Sequence, residues 1–188
     1  MAPPALSIHL RNGNYPAPAR YDELVARVAI LTLSDKGAAG QRTDEAGSII
    51  EARLREAGHE VALRAILPDE RELISRTLAD WCDRGVADVI VTTGGTGLTS
   101  RDVTPEATLA VAERHVPGLA TAILLRGLQS TPYAALSRGV AVVRGKTLIV
   151  NLAGSAGAAR DGLDVLLPLL DHIAELLRGP VEHGESRS

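Results

Sequence analysis

The chain contains 188 residues, of which 45% are apolar, and it carries a formal net charge of −3. This length predicts one domain with a sizeable core, and that core must be aliphatic because the sequence has no Phe, one Trp and three Tyr. The slightly acidic balance and the scarcity of aromatic side chains argue against binding to nucleic acid or to an anionic membrane. No apolar run reaches the roughly 18 residues of a membrane span.

Composition also predicts the boundaries of the domain. Residues 1–24 contain four prolines and little periodicity, which predicts an extended or disordered arm without the pattern of a secretory signal. Residues 25–179 are predicted to form one folded domain, followed by a polar tail over 180–188. The single cysteine, Cys82, is predicted to be a half-buried free thiol, and together with the missing signal pattern it predicts a cytoplasmic location.

The first half of the domain alternates between strand and helix patterns. Short apolar runs predict strands at Arg27–Leu33, Glu60–Leu67 and 87–93. Apolar residues at helical spacing predict helices over 43–57 and 69–84, and a glycine follows each of these segments. This alternation predicts an α/β sandwich around a mainly parallel sheet.

The second half of the domain adds three predicted helices and a hairpin. The helices are expected over 105–115, 119–128 and 155–177, with Thr104 as the N-cap of the first and Pro168 kinking or splitting the last. Strands are predicted at 140–143 and Thr147–Leu152. Because the turn between these two strands is too short for a parallel crossover, they are predicted to pair in an antiparallel manner.

Polar or glycine-rich segments follow four of the predicted strands. Ligands of open α/β sheets bind outside the carboxyl ends of the strands, so these segments are expected to converge on one binding site. The four segments are Ser34 to Gly37, Pro68 with Asp69, Gly94 to Gly97, and Asn151 to Ser155.

The segment Gly94 to Gly97, which reads GGTG, is suited to binding a phosphate. Glycines allow backbone N–H groups to approach an anion closely. The segment is neither a P-loop, which requires a lysine, nor a dinucleotide fingerprint, because Ser100 stands where the third glycine is needed. Taken alone, the segment can also be a tight turn between a strand and a loop.

Two aspartates extend this interpretation to a metal. A carboxylate beside a bound phosphate is repulsive unless a cation lies between them, so Asp69 and Asp102 suggest Mg²⁺. On residue chemistry alone, Asp69 can equally be a helix N-cap and Asp102 a surface turn residue. The five histidines show no metal-ligand spacing.

Several motifs give the chain a resemblance to a known family. They read LTLSDKGAAGQRTDEAG, LPDE, TTGGTGLTSRDVTPEAT, PGL, ALSRGVA and LIVNLAGS. Over residues 27–179 the chain resembles the MogA/MoaB family of molybdenum cofactor biosynthesis proteins, which includes the G domain of gephyrin. The combination of the GGTG and RDVTPEAT segments with the SDK and NLxGS segments is specific to this family.

The resemblance implies both an activity and an architecture. Catalytic members transfer AMP from Mg²⁺-ATP to molybdopterin, which yields adenylyl-molybdopterin and pyrophosphate. The implied fold is a three-layer α/β/α sandwich with a short antiparallel piece, the implied assembly is a homotrimer, and the product passes to a molybdate-inserting protein. The alternative is a non-catalytic molybdopterin-binding oligomer that carries or stores the cofactor.

The resemblance also assigns roles to individual residues. Asp69 and Asp102 match the two essential acids of the family, which makes them the implied catalytic residues and magnesium ligands. The implied substrate- and phosphate-binding residues are Ser34, Asp35, Asp44, Gly94, Gly95, Thr96, Gly97, Thr104, Pro105, Glu106, Asn151, Gly154 and Ser155. The chain departs from the common family pattern at Lys36, Thr121, Gly127 and Ala153.

Overall fold

Six strands form one mixed sheet in the order β2-β1-β3-β6-β5-β4 in the computed structural model, which describes residues 25–179. The strands are β1 (Arg27–Leu33), β2 (Glu60–Leu67), β3 (Val89–Thr93), β4 (Arg114–His115), β5 (Ala141–Arg144) and β6 (Thr147–Leu152). Strands β2, β1, β3 and β6 run parallel to one another. Strands β5 and β4 add the antiparallel piece, so the predicted hairpin is confirmed. The predicted arm and tail lie outside the described residues.

Seven helices lie within residues 25–179, and five of them lie between strands. They are α1 (Asp35–Ala38), α2 (Glu45–Glu56), α3 (Arg71–Asp83), α4 (Thr104–Leu109), α5 (Pro117–Ser130), α6 (Ala156–Leu166) and α7 (Leu170–Arg178). Two 3₁₀ segments, Pro132–Leu136 and Leu167–Leu169, complete the list. The second of these contains Pro168 and separates α6 from α7, as predicted. None of the helices over 25–179 has the length and apolar character needed to cross a membrane.

The sheet is covered on both faces, so the three-layer architecture is confirmed. Successive strand residues point to opposite faces. Val28 and Ile30 of β1 pack with α2, α5, α6 and α7, whereas Ala29 and Leu31 pack with α3 and α4. Cys82 is buried in the second of these cores, and burial raises the pKa of its thiol to about 11, which makes it an inert core residue.

The prediction of one helix over 105–115 is wrong. Helix α4 begins at Thr104, so this residue is not the N-cap, and it ends at Leu109. The following residues pair with the edge of β5, since Glu113 N–H donates to the Val143 carbonyl and Val116 N–H donates to the Ala141 carbonyl. The exposed backbone of an edge strand offers these hydrogen bonds, and they outweigh the helical preference of a segment rich in Ala, Glu and Arg.

Candidate active site

A cavity of about 920 Å³ opens at the carboxyl ends of β1, β3 and β6. Three of the four predicted strand-end segments line it, namely those that follow these three strands. The fourth segment, which carries Asp69, lies directly behind the glycine loop, because a Cβ atom on Gly95 would stand 2.9 Å from Asp69 Oδ1. Helix α5 and the first 3₁₀ segment form the opposite wall.

The loop Gly94 to Gly97, hereafter the glycine loop, is shaped by contacts that exclude side chains. Gly94 and Gly95 have φ values of 100° and 61°, in the left-handed region. A Cβ atom on Gly94 would lie 2.3 Å from the Leu33 carbonyl oxygen, and one on Gly95 would lie 2.3 Å from Thr104 Oγ1. The Thr104 hydroxyl donates to the Gly94 carbonyl at 2.9 Å and so fixes the turn.

The same loop presents backbone donors to the cavity. Among residues 25–179, the N–H groups of Gly95 and Thr96 have no backbone acceptor. The N-termini of α6 and α2 border the cavity as well, with Ser155 and Asp44 as their N-caps. Backbone N–H groups and helix N-termini stabilise negative charge, so this end of the cavity is suited to phosphate.

Asp69 is held by a reciprocal pair of hydrogen bonds with Asp35. The Asp35 N–H donates to Asp69 Oδ2, and the Asp69 N–H donates to Asp35 Oδ1, both at 3.0 Å. The guanidinium of Arg101 in turn donates to both carboxylate oxygens of Asp35, at 2.7 and 3.1 Å. This chain of contacts ties the loops after β1, β2 and β3 together and fixes the orientation of Asp69.

The second oxygen of Asp69 has no such partner. Asp69 Oδ1 is buried and has no hydrogen-bond partner among the described residues. Burial raises the pKa of Asp69, and the nearby carboxylates of Asp35 and Asp102 add to that shift, against the hydrogen bond from the Asp35 N–H. An orphaned oxygen in a buried carboxylate beside other acids is the environment in which a cation is stabilised.

Asp102 also lies against the glycine loop, next to Gly97. Its Oδ2 accepts from the Thr99 hydroxyl at 2.6 Å and from the Thr99 N–H at 2.8 Å, and these bonds lower the pKa of Asp102. A Cβ atom on Gly97 would stand 3.0 Å from the same oxygen. Asp102 therefore faces the loop as an ionised carboxylate in a fixed position.

The two acids fit a magnesium ion that is completed by a substrate. Within residues 25–179, no three His, Cys, Asp or Glu side chains cluster closely enough to hold a metal alone. Mg²⁺ commonly takes only one or two carboxylates and obtains its other ligands from phosphate oxygens and water. Asp69 Oδ1 and the Asp102 carboxylate supply that number next to the glycine loop.

Asp44 and Asn151 are implied to bind substrate, but other residues of the protein already form hydrogen bonds with their side chains. Asp44 accepts from the Gly47 N–H at 2.8 Å, the Thr32 hydroxyl at 2.7 Å and Arg64 at 2.8 Å. Burial alone would raise the pKa of Asp44, but these hydrogen bonds, led by that from Arg64, lower it. The structure therefore places Asp44 as an anchor between β1, β2 and the N-terminus of α2.

Asn151 is engaged in the same way. Its Nδ2 donates to the hydroxyls of Thr92 and Thr108 at 2.9 and 3.0 Å, and its Oδ1 accepts from the Val140 N–H at 3.2 Å. These contacts join β3, β6 and α4 beneath the glycine loop. The side-chain amide holds the floor of the cavity and has little capacity left for a ligand.

The remaining implied residues also shape the loops. Ser34 and Ser155 cap α1 and α6 by accepting from Gly37 and Ala158. A Cβ atom on Gly154 would stand 3.0 Å from the Gly94 Cα, so the two glycine-containing loops pack directly on each other. Thr96 is part of the glycine loop and lines the cavity, and Pro105 and Glu106 lie in the first turn of α4.

Arg138 is a functional candidate that the sequence reasoning missed. It donates to the Gly97 carbonyl at 2.7 Å and to the Asp102 carbonyl at 2.5 Å, and it forms an ion pair with Glu106. It thereby holds both ends of the segment between the glycine loop and α4. The quoted motif ALSRGVA contains Arg138, but only the fold shows that this motif lies against the glycine loop.

These features define an α/β sandwich with a cleft suited to phosphate and two acids at the carboxyl edge of its sheet. The sequence matches the family described as a probable molybdopterin binding domain over residues 29–172, and the chain belongs to this family.

Three relatives illustrate the match. The molybdenum cofactor synthesis protein cinnamon of Drosophila melanogaster is 40% identical over 149 residues, which cover 79% of this chain and 25% of that protein. The molybdopterin adenylyltransferase of Helicobacter pylori (strain 26695) is 36% identical over 154 residues, or 81% of this chain and 88% of the enzyme. A crystal structure of the molybdopterin biosynthesis enzyme MoaB from Thermus thermophilus is 50% identical, with a TM-score of 0.77 over 83% of this chain and 98% of that one. The chain therefore spans about a quarter of the length of the Drosophila protein but most of the other two.

Proposed function

We propose that this protein is a molybdopterin adenylyltransferase, which transfers AMP from Mg²⁺-ATP to molybdopterin and releases pyrophosphate. The observation that carries the proposal is the orphaned Asp69 Oδ1, which lies with Asp102 against the glycine loop and its free N–H groups. The similarity to the Helicobacter pylori adenylyltransferase, which extends over 88% of that enzyme, supports the same activity.

The reaction joins two anions, so the protein must position them and offset their charge. A terminal phosphate oxygen of molybdopterin attacks the α-phosphorus of ATP, the bond from that phosphorus to the bridging oxygen of the β-phosphate breaks, and pyrophosphate leaves with the electron pair. The attacking phosphate has its second pKa near 6 and is ionised at neutral pH, so the step requires no general base. Catalysis then rests on orientation and electrostatic stabilisation.

Different residues of this chain position the substrates and offset their charge. The N–H groups of Gly95 and Thr96 and the N-terminus of α6 bind phosphate oxygens, while Arg138 and Thr104 keep the glycine loop in place. Asp69 and Asp102 would hold Mg²⁺, which when bound neutralises the charge of the triphosphate. Asp35 and Arg101 keep Asp69 oriented toward this position.

A turnover measurement tests the proposal. Purified protein is mixed with ATP, magnesium and molybdopterin, and both adenylyl-molybdopterin and pyrophosphate are measured, with a magnesium-free reaction as the control. We expect the two products in equal amounts and only when magnesium is present. Binding of molybdopterin without any turnover would refute the enzyme and favour a non-catalytic carrier.

We further propose that the protein is a homotrimer in the cytoplasm that passes its product to a molybdate-inserting protein. Helix α5 and the following 3₁₀ segment leave a strip of exposed apolar side chains that association would bury, namely Leu125, Leu128, Tyr133 and Leu136. We expect sedimentation equilibrium to give three times the mass of the chain at micromolar concentration. A monomer under these conditions would contradict the proposed assembly.

A further inference from the structure

A carboxylate and a hydroxyl that have no part in phosphate binding lie in the wall of the cavity beyond the glycine loop. Asp161 of α6 and Ser130 of α5 both line the cavity, although Asp161 is only 8% exposed. Asp161 Oδ1 accepts from the Ser130 hydroxyl at 2.9 Å and pairs with Arg126 at 2.8 Å. Arg126 and Ser130 offset the cost of burying this carboxylate and hold it in a fixed position in the cavity wall.

The other oxygen of Asp161 remains available to a ligand. Among residues 25–179, the buried side-chain polar atoms that lack a partner are His59 Nδ1 and Asp69 Oδ1, so Asp161 Oδ2 is not sealed inside the protein. The Ser130 oxygen, which uses its proton toward Asp161 and one lone pair toward Arg126, keeps a second lone pair. The wall therefore presents two hydrogen-bond acceptors side by side.

The surroundings of these acceptors fit a flat ring. Ile123 and Leu124 of α5 and Ala134 of the 3₁₀ segment line the same part of the cavity. A Cβ atom on Gly157, which also lines the cavity, would meet nothing within 4 Å, so the face of α6 before Asp161 is open. Apolar walls with two convergent acceptors bind a planar heterocycle that carries two adjacent N–H donors.

We propose that Asp161 and Ser130 recognise the 2-amino-4-oxopyrimidine edge of the pterin ring. This inference rests on the proposed function and assigns one of its two substrates to one end of the cavity. The pterin presents a ring N–H beside an exocyclic amino group, which matches two adjacent acceptors. Adenine presents an amino group beside a ring nitrogen acceptor, whose lone pair would oppose Asp161 or Ser130.

The distance along α6 from its N-terminus to Asp161 agrees with this assignment. Its N-terminus at Ala156 is suited to phosphate, and Asp161 lies five residues further along. At a rise of 1.5 Å per residue, the two positions are roughly 8 Å apart along the helix axis. In molybdopterin, the pyrazine ring, the pyran ring and a methylene group separate the pyrimidine edge from the phosphate, and they span a distance of the same order.

A change of ring preference tests the proposal. In 6-hydroxymethyllumazine an oxygen replaces the 2-amino group of 6-hydroxymethylpterin. Both compounds are titrated as competitors of bound molybdopterin against the wild type, Asp161→Asn and Asp164→Asn. Asp164 is the matched control because it also pairs with Arg126, at 2.8 Å, but does not line the cavity.

We expect the wild type and Asp164→Asn to prefer the pterin over the lumazine by about tenfold or more, since a charge-assisted hydrogen bond is lost with the amino group. Asp161→Asn is expected to remove or reverse this preference, because the asparagine amide can donate to the lumazine oxygen. Ser130→Ala keeps the ion pair of Asp161 with Arg126 and is expected to weaken pterin binding severalfold. This variant tests the proposal if Asp161→Asn does not fold.

The outcomes separate this inference from the proposed function. If the wild type binds molybdopterin but shows no ring preference, or if Asp161→Asn keeps the wild-type preference, the recognition by Asp161 is refuted while the adenylyltransferase survives. A wild type that does not bind molybdopterin at all refutes both.

Discussion

Replacing Gly95 by alanine should strain the backbone and also displace side chains of the candidate site. Gly95 has φ of 61°, and a left-handed conformation costs alanine about 1–2 kcal/mol. The new Cβ atom would also stand 2.3 Å from Thr104 Oγ1 and 2.9 Å from Asp69 Oδ1, so both side chains must move. Loss of the hydrogen bond from Thr104 to the Gly94 carbonyl adds about 1 kcal/mol. We therefore expect Gly95→Ala to lower the free energy of unfolding by about 2–3 kcal/mol.

Gly85→Ala is the matched control for this change. Gly85 has almost the same φ, 60°, but a Cβ atom there would meet nothing within 4 Å. It follows α3 at the other end of the sheet from the cavity, so the substitution should cost only the strain of about 1–2 kcal/mol. Turnover should stay at the wild-type value in Gly85→Ala, whereas displacement of Asp69 in Gly95→Ala should lower it by about 100-fold or more.

Urea unfolding and turnover with Mg²⁺-ATP and molybdopterin are measured on both variants at a temperature where each is fully folded. The reasoning fails if Gly95→Ala and Gly85→Ala lose equal stability and both retain wild-type turnover. That result would mean that Thr104 and Asp69 can move without consequence for the site.

Two further substitutions test the acids themselves. Asp102→Asn should keep the fold, because an amide oxygen can still accept from Thr99. Turnover should nevertheless fall by orders of magnitude, while the affinity for molybdopterin changes much less. Unchanged turnover in this variant and in Asp69→Asn would refute the magnesium site. Because burial raises the pKa of Asp69 in the folded protein, ionisation of this residue opposes folding once the pH exceeds its ordinary value of 3.8. In magnesium-free buffer, Asp69→Asn should therefore unfold at higher urea than the wild type at pH 7, and the gain should vanish below pH 3.8; a gain that does not depend on pH would contradict this account.

The bounds of the longer strands could be predicted from sequence, whereas the short edge strand β4 could not. The predicted bounds of β1, β2 and β6 agree with the structure, since each is an apolar run between polar turns. Strand β4 contains only Arg114 and His115, which have no apolar pattern, and it exists because β5 leaves an open edge. A two-residue strand is specified by its partner, and local sequence carries no signal for it.

For the candidate site, the sequence predicts where the side chains lie but not whether they are free to bind a ligand. The rule that ligands bind at the carboxyl ends of strands locates Asp44, Asn151 and Asp69 at one edge, but it cannot tell which of these side chains remain free. Asp44 and Asn151 are each occupied by three protein partners that come from distant parts of the chain. Asp69 keeps one buried oxygen without a partner among the described residues. A proton or a bound cation would relieve the energetic cost of that oxygen, so the least satisfied acid of the edge, and not the best anchored, is the one we expect to act in catalysis.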